Sequence, residues 1–101
     1  MTTFKYYRGC SREEARALMA NDQYTTNLTT KTYWTNNPSA ASLYARGAII
    51  CIELDRDIPQ GYHGVAEGVD DNGYMNNHHE VVMSRSLFND VLCNMIEIEV
   101  L

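Results

Sequence analysis

The chain has 101 residues, of which 45% are hydrophobic, so it can form one domain around a single modest core. Its formal net charge of −5 disfavours a protein that follows the nucleic-acid backbone by charge alone, because such domains are usually basic. No apolar run reaches membrane-spanning length. We therefore expect a single domain over residues 1–101 that has no membrane partner.

The three cysteines, Cys10, Cys51 and Cys93, are far apart and form no C-x-x-C pair. This spacing disfavours a structural zinc site. Cys51 and Cys93 lie in apolar runs, so we expect both to pack in the core. Cys10 follows an Arg-Gly pair and is either a small buried thiol or a neighbour of a site. The simplest compartment for such a chain is the reducing cytoplasm.

The first two predicted elements are a strand and a helix. Residues 4–8 have an aromatic, strand-like composition that ends at Gly9. Ser11 and Glu14 form a capping box, in which the Ser11 hydroxyl accepts from the Glu14 N–H and the Glu14 side chain returns to the Ser11 N–H. Apolar residues follow at helical spacing, which predicts a helix from about residue 12 to Asn21.

A second strand and helix follow after an ambiguous stretch. Residues 24–32 are rich in Thr and Asn, and both a loop and a pair of strands remain open there. Residues 33–35 predict a brief strand. Asn37 and Pro38 then start a helix as N-cap and first helical residue. Gly47 is expected to end that helix at its C′ position.

The second half of the chain predicts mainly strands. Residues 48–54 form an apolar strand, and the Gly-, Asn- and Asp-rich residues 61–79 predict a long surface loop broken at most by a short strand. A strand resumes over residues 80–83, a turn of helix over 86–90, and a last alternating strand over 93–100 that could form an open sheet edge. With its helices early and no G-x-G-x-x-G or Walker sequence, the chain predicts an α+β fold with a mixed or antiparallel sheet.

Four kinds of side chain that suit one reaction occur in order along the chain: an arginine, a hydroxyl, an aromatic ring and a carboxylate. Cleavage of the bond between nicotinamide and ribose develops positive charge on the sugar, which a carboxylate such as Glu80 stabilises. Arg8 can bind phosphate or ribose through its fork of donors. Thr35 can orient the carboxylate, and Tyr44 or Tyr33 can stack on the nicotinamide.

These segments resemble motifs of the ADP-ribosyltransferase superfamily in its arginine–hydroxyl–glutamate form. Tyr7-Arg8-Gly9 is similar to the arginine motif of the first strand, and Tyr33-Trp34-Thr35 to the aromatic-hydroxyl motif of the second. Residues 40–45 resemble the alanine- and tyrosine-containing helix of that family. Residues 48–59 resemble the next strand, and His79-Glu80-Val81-Val82 the strand with the catalytic glutamate.

The resemblance implies a split sheet with two helices in the N-terminal half, and NAD as substrate. The implied activity is ADP-ribosyl transfer to a protein or nucleic-acid acceptor, or NAD glycohydrolysis, as in a phage or toxin-like effector. It assigns catalytic roles to Glu80, Arg8 and Thr35. It assigns NAD binding to Arg8, to Gly9 through backbone groups that meet the nicotinamide carboxamide, and to Tyr33 and Tyr44.

Two features depart from the family pattern. The chain is short for a full transferase, which implies reduced adenosine-binding and acceptor-recognition elements. Members that modify arginine often have Gln or Glu two residues before the catalytic glutamate, whereas His78 holds that position here. His78 is therefore a candidate for contact with a different acceptor, and the loop over residues 61–79 is expected to help choose that acceptor.

The histidines do not predict a metal site. His78 and His79 are adjacent on extended chain, so their side chains point to opposite faces and seldom share one ion. His63 is distant in sequence and no ligand spacing supports it.

Each candidate also has an ordinary structural explanation. Arg8 at a strand end is commonly an ion-pair partner, Thr35 a strand residue and Tyr44 a core aromatic. Glu80 is the more unusual, because a carboxylate that opens an apolar strand must be paired, bound or exposed. The alternative function is a catalytically inactive, acidic, tyrosine-rich protein of viral or mobile-element type that blocks a protein partner. A third hypothesis is a sensor that binds a nucleotide without cleaving it.

Overall fold

The computed structural model describes residues 2–20, 31–69 and 75–101. These residues form three α-helices, six β-strands and one short 3₁₀ turn at Gln60–Tyr62. In chain order the helices and strands are β1 (Phe4–Ser11), α1 (Arg12–Met19), β2 (Lys31–Trp34), α2 (Pro38–Ser42), β3 (Gly47–Leu54), β4 (His63–Val69), β5 (Met75–Ser84), α3 (Arg85–Leu92) and β6 (Met95–Val100).

The strands divide into two antiparallel sheets of three. One sheet has the order β1-β3-β6 and the other the order β2-β5-β4. The sheets meet where β1 passes the end of β2. There the Tyr7 N–H donates to the Thr35 carbonyl at 2.7 Å, and the Thr35 N–H donates to the Tyr7 carbonyl at 2.9 Å. The predicted α+β class with antiparallel pairing is confirmed.

The core lies between the sheets and the helices, and alternation in β3 explains one side of it. Every second side chain of β3 points inward and is buried: Ala48, Ile50, Ile52 and Leu54. Val81 and Met83 contribute the same alternation from β5. The indole of Trp34 stacks on the Phe88 ring of α3 with 5.8 Å between centroids, which joins the second sheet to α3.

Helix α1 begins where the sequence predicts. The Ser11 side chain accepts a hydrogen bond from the Glu14 N–H at 3.1 Å, which satisfies one of the free donors of the first turn. Ala15 is buried, and Leu18 packs against the edge of the core. The helix ends at Met19, and the predicted end at Asn21 lies outside the described residues.

Helix α2 is shorter than predicted. Asn37 caps it as expected, because its side-chain oxygen accepts from the N–H groups of Ser39 and Ala40. The helix stops at Ser42, so the prediction that Gly47 ends it is wrong. After the helix, the Arg46 N–H donates to the Cys10 carbonyl at 2.9 Å, which holds the chain against β1. Gly47 has a φ of 116°, a turn that favours glycine, and it begins β3.

The long loop predicted over residues 61–79 is wrong, since most of that segment belongs to strands. β4 pairs antiparallel with β5, with His63 opposite Val81 and Val69 opposite Met75. Gly, His, Asn and Glu have low strand propensity, and this misled the prediction. The structure shows that β5 also pairs with β2 on its other side, and this pairing favours a strand despite the low propensity. Of residues 24–32, only Lys31 and Thr32 are described, and they begin β2.

The C-terminal part of the chain brings two more corrections. α3 is a helix of eight residues rather than a single turn, so the helices are not confined to the N-terminal half. Cys93 follows α3 and is exposed, whereas Cys10 and Cys51 are buried. Among the strands that the structure describes, β6 pairs with β3 alone and lies at a sheet edge, as predicted.

Among the helices of the described residues, none combines the length and the apolar composition that a membrane crossing requires.

Candidate functional site

A cleft of about 570 Å³ opens where the two sheets separate. Its walls are the end of β1, the end of β2, the turn after α2 and the middle of β5. The backbone pair between Tyr7 and Thr35 closes one end of the cleft, because the two strands diverge beyond it. Cavities of this size are typical of sites for small molecules and cofactors.

The structure brings all the candidate residues of the sequence to this cleft. Seven side chains or backbone segments proposed from the motifs line it: Arg8, Gly9, Tyr33, Thr35, Tyr44, His78 and Glu80. They come from β1, β2, the turn after α2, and β5, so the sheets assemble them from distant parts of the chain.

Thr35 and Glu80 flank a pair of residues on neighbouring strands. Trp34, the last residue of β2, pairs with Val81 of β5; Thr35 comes directly after Trp34, and Glu80 comes directly before Val81. Both Thr35 and Glu80 line the cleft. The Thr35 hydroxyl oxygen accepts from the Asn37 N–H at 3.1 Å, which leaves the hydroxyl proton able to donate. The structure shows no hydrogen bond from that hydroxyl to Glu80 within the described residues.

Arg8 is bound to Glu14, a partner that the sequence did not predict. The Arg8 Nε donates to Glu14 Oε2 at 2.5 Å and its Nη2 donates to Oε1 at 3.0 Å. A third bond of 3.3 Å runs from Nη1 to the Tyr33 carbonyl, so Arg8 connects α1 to β2 across the cleft. Glu14 is buried beside this arginine. The sequence feature that could have indicated this ion pair is the direct change from strand to helix at Ser11.

Gly9 is required by the close approach of two backbones. A Cβ at this position would lie 2.1 Å from the Ala41 carbonyl oxygen and 2.6 Å from the Ala45 nitrogen. Alternation along β1 turns the N–H and C=O of Gly9 to the same side as those of Tyr7. At Tyr7 these groups bond Thr35, and at Gly9 the sheets have already separated. The backbone groups of Gly9 therefore face the cleft.

An aromatic wall lies across the cleft from β1. The Tyr44 and His78 rings have centroids 5.6 Å apart, and the Tyr44 hydroxyl lies 3.4 Å from His78 Nε2. His78 is only 8% exposed, whereas Tyr33 and Tyr44 remain about half exposed. Their rings therefore offer accessible surface for stacking, and His78 marks the inner end of the wall.

Two further residues line the cleft: Arg46, which the sequence analysis missed, and Cys10, for which it left open a buried thiol or a neighbour of a site. Arg46 is exposed, lines the cleft, and has no carboxylate partner within the part of the chain that the structure describes. Its place follows from the early end of α2, which the sequence did not predict. Cys10 also lines the cleft, and burial together with the nearby Glu14 carboxylate raises the pKa of its thiol to about 11. A thiol of that pKa is mostly protonated and a poor nucleophile at neutral pH.

The adjacent histidines of β5 point to opposite faces, as predicted. His78 lines the cleft, whereas His79 contacts His63 of β4 on the other face. No group of three His, Cys, Asp or Glu side chains within residues 2–20, 31–69 and 75–101 is arranged to hold a metal ion.

Comparison of the chain with protein-family models, with curated proteins and with solved structures finds no match. Functional conclusions therefore depend on the geometry of the cleft.

Proposed function

We propose that the protein breaks the bond between nicotinamide and ribose in NAD and transfers the ADP-ribosyl group to a protein or nucleic-acid acceptor, or to water. The observation that supports this most strongly is the convergence of Arg8, Thr35 and Glu80 on one cleft between two antiparallel sheets. The three residues offer the cation, the hydroxyl and the carboxylate that such a reaction can use.

Glu80 supplies the negative charge for the reaction. When the glycosidic bond breaks, its electron pair leaves with nicotinamide and positive charge develops on the ribose. Glu80 is half-buried and lines the cleft, and no cation of the described residues pairs with it. Its carboxylate can therefore stabilise the ribosyl cation. The acceptor's lone pair then forms the new bond to the anomeric carbon, and the acceptor's proton passes to Glu80 or to solvent.

Gly9 and the tyrosines fit the nicotinamide end of the substrate. A carboxamide both donates and accepts hydrogen bonds, and the Gly9 C=O and N–H facing the cleft match those two needs. The exposed rings of Tyr33 and Tyr44 provide surfaces for an aromatic base.

The diphosphate of NAD needs a cation, and two arginines of the described residues line the cleft. Arg8 is already bound to Glu14, so a phosphate must share its guanidinium or displace the carboxylate. Arg46 is exposed at the same cleft. A planar guanidinium binds phosphate through paired hydrogen bonds, so Arg46 is the readier ligand for the diphosphate.

The test is release of nicotinamide from NAD by the purified wild type and by Glu80→Gln. We expect release by the wild type and its loss in Glu80→Gln, with the same melting temperature for both. Glu67→Gln is the matched control, because Glu67 is an exposed glutamate of β4 outside the cleft. Turnover in Glu80→Gln equal to that of the wild type would refute the role of Glu80. Absence of release by the wild type, with no thermal shift on addition of NAD, would remove the enzyme proposal.

One observation favours a second function, a catalytically inactive protein that binds and blocks a partner. The ion pair between Arg8 and Glu14 neutralises the arginine that would hold the substrate. Tyr33, Tyr44 and Tyr62 are about half exposed, and aromatic side chains are enriched at protein interfaces. In this case Glu80→Ala leaves the biological effect intact, and substitution of Tyr62 by Ala weakens it.

A further inference from the structure

A second, shallower groove of about 410 Å³ lies on the face of β5 opposite the cleft. Two histidines meet there: His63 Nδ1 is 2.8 Å from His79 Nε2, and the ring centroids are 5.0 Å apart. They are sixteen residues apart in sequence and adjacent only because β4 pairs with β5. We call these two side chains the histidine pair.

The hydrogen bonds at both ends of the histidine pair fix its protons. His63 Nε2 lies 2.8 Å from the Ile58 carbonyl oxygen, which can only accept, so His63 Nε2 carries a proton. The Asn36 N–H donates to His79 Nδ1 at 3.0 Å, so that nitrogen carries none. Neutral His79 is then protonated at Nε2 and donates to His63 Nδ1. The whole chain of bonds is consistent with two neutral rings and with no other arrangement of their protons.

Addition of one proton breaks this chain of bonds, and the place of the break depends on which ring takes the proton. If His79 takes it, its Nδ1–H faces the Asn36 N–H, and the bond between Asn36 and His79 ends. If His63 takes it, its Nδ1–H faces the His79 Nε2–H, and the bond to Asn36 ends only when neutral His79 moves its hydrogen to Nδ1. Protonation of His79 is therefore the step that releases Asn36.

Asn36 joins the two parts of the chain that shape the cleft. Its neighbour Thr35 holds β2 to β1 through the backbone pair with Tyr7. Its other neighbour Asn37 donates its N–H to the Thr35 hydroxyl oxygen and caps α2 with its own side chain. The C-terminal end of α2 passes against Gly9 and leads to Tyr44. Release of the Asn36 N–H therefore removes one of the hydrogen bonds that hold the connection between Thr35 and α2.

We propose that the histidine pair is a proton-operated switch that fixes the Thr35–Asn37 segment beside the cleft when both rings are neutral and releases it when His79 is protonated.

The groups around the pair set the pH at which the switch operates. Burial of His79, the neighbouring His63 and, more weakly, His78 lower the pKa of His79 from 6.5, while Asp57 opposes them. Asp57 accepts from the Tyr6 hydroxyl and from the Ile58 N–H, and its Oδ1 is 3.9 Å from His63 Nε2. Lys5 of β1 lines the same groove, and its positive charge also disfavours the protonated pair. The switch therefore operates in weakly acidic solution.

Nuclear magnetic resonance of the whole protein, without any ligand, tests the switch. At pH 7.5 we expect the imidazole ¹⁵N shifts of His63 and His79 to report Nε2–H tautomers. On acidification, the amide shifts of Thr35, Asn36 and Asn37 should move with the midpoint of His79, which lies below the usual 6.5. Exchange protection of the Asn36 amide should fall about fivefold, as for loss of one ordinary hydrogen bond. The amide of Ile98, in the other sheet, should stay constant.

Two variants make the test decisive. His63→Gln keeps an acceptor for His79 and removes the second ring, so the response of Asn36 should persist with a higher midpoint. His79→Phe should abolish the response. The proposal is overturned if neutral His79 carries its proton on Nδ1, or if the Asn36 and Asn37 amides do not move while His79 titrates in the wild type or in His63→Gln. These outcomes do not depend on NAD, so failure of the proposed enzyme activity would leave them unchanged.

Discussion

Arg8 binds the carboxylate of Glu14 at two points, at 2.5 Å and 3.0 Å, and so ties the first strand to the helix that follows it. The side chains are 15% and 10% exposed, so water screens the pair only weakly. A charged group that loses its partner in such a buried position still carries the free-energy cost of its removal from water. This relationship makes Arg8 a structural residue as well as a candidate ligand for phosphate.

We expect Glu14→Gln to lower the free energy of unfolding by about 2 kcal/mol, because it leaves the Arg8 guanidinium partly buried without its counter-charge. Urea denaturation measures the loss. Glu13→Gln is the control, since it removes the same charge from an exposed position of the same helical turn. The control should change stability by less than about 0.5 kcal/mol. Equal losses in the two variants would mean that net charge, and not the pair, is responsible.

Gly9→Ala should destabilise the protein by about 3 kcal/mol, because the added methyl group meets the backbone of Ala41 and Ala45, which cannot move without shifting the turn after α2. Thermal unfolding provides the measurement. Gly61→Ala is the matched control, since no atom lies within 4 Å of its added Cβ. That variant should be neutral or slightly stabilising through a less flexible unfolded chain. An unaffected Gly9→Ala protein would show that the turn after α2 adjusts freely.

Arg46→Gln should weaken binding of ADP-ribose about tenfold if the proposed function holds, because one charge-assisted contact to phosphate is lost. Titration calorimetry at low salt measures the affinity. Arg56→Gln is the control, as Arg56 is exposed and lies outside the cleft. Similar losses in both variants would indicate a general effect of charge and no specific contact with Arg46.

The free energy of unfolding should fall as the pH drops below about 6.5, because His79 takes up a proton more readily in the unfolded chain. Burial and the nearby His63 lower the pKa of His79 in the folded state, so the unfolded chain binds a proton more readily. The contribution of His79 is fully present above the unfolded pKa and is lost as the pH falls toward the folded pKa. Urea midpoints between pH 7.5 and 5.5 should decline for the wild type and decline less for His79→Phe. Parallel declines would assign the effect to other groups.

The cysteines should differ sharply in their reaction with iodoacetamide at pH 8. Cys93 is exposed and should react first, whereas Cys10 is buried with a pKa of about 11, which leaves roughly a hundredfold less thiolate than an unperturbed thiol. Cys51 is also buried, and burial raises the pKa of its thiol. Mass spectrometry of timed samples identifies the order of labelling. Cys93→Ser should remove the fast phase, and fast labelling of Cys10 would contradict its burial.

The cleft shows which features of the candidate site can be predicted from residue types and their order along the chain. Arg8, Thr35 and Glu80 were selected as candidates by chemistry, and the fold brings them to one cleft. Their bonding could not be predicted the same way. The capping box assigned the Glu14 side chain to the Ser11 N–H, and the carboxylate binds Arg8, because a charged partner within reach competes strongly for a carboxylate.

The sequence by itself determined the local features: the cap at Ser11, the cap at Asn37, the alternation of β3, and the opposite directions of His78 and His79. Each depends on spacing within a few residues, which backbone geometry converts directly into a shared or opposite face. Only the tertiary structure decided that residues 63–69 and 75–84 pair as antiparallel strands and that His63 meets His79. Pairing between strands depends on register and on burial of distant surfaces, and strand propensity measures both poorly.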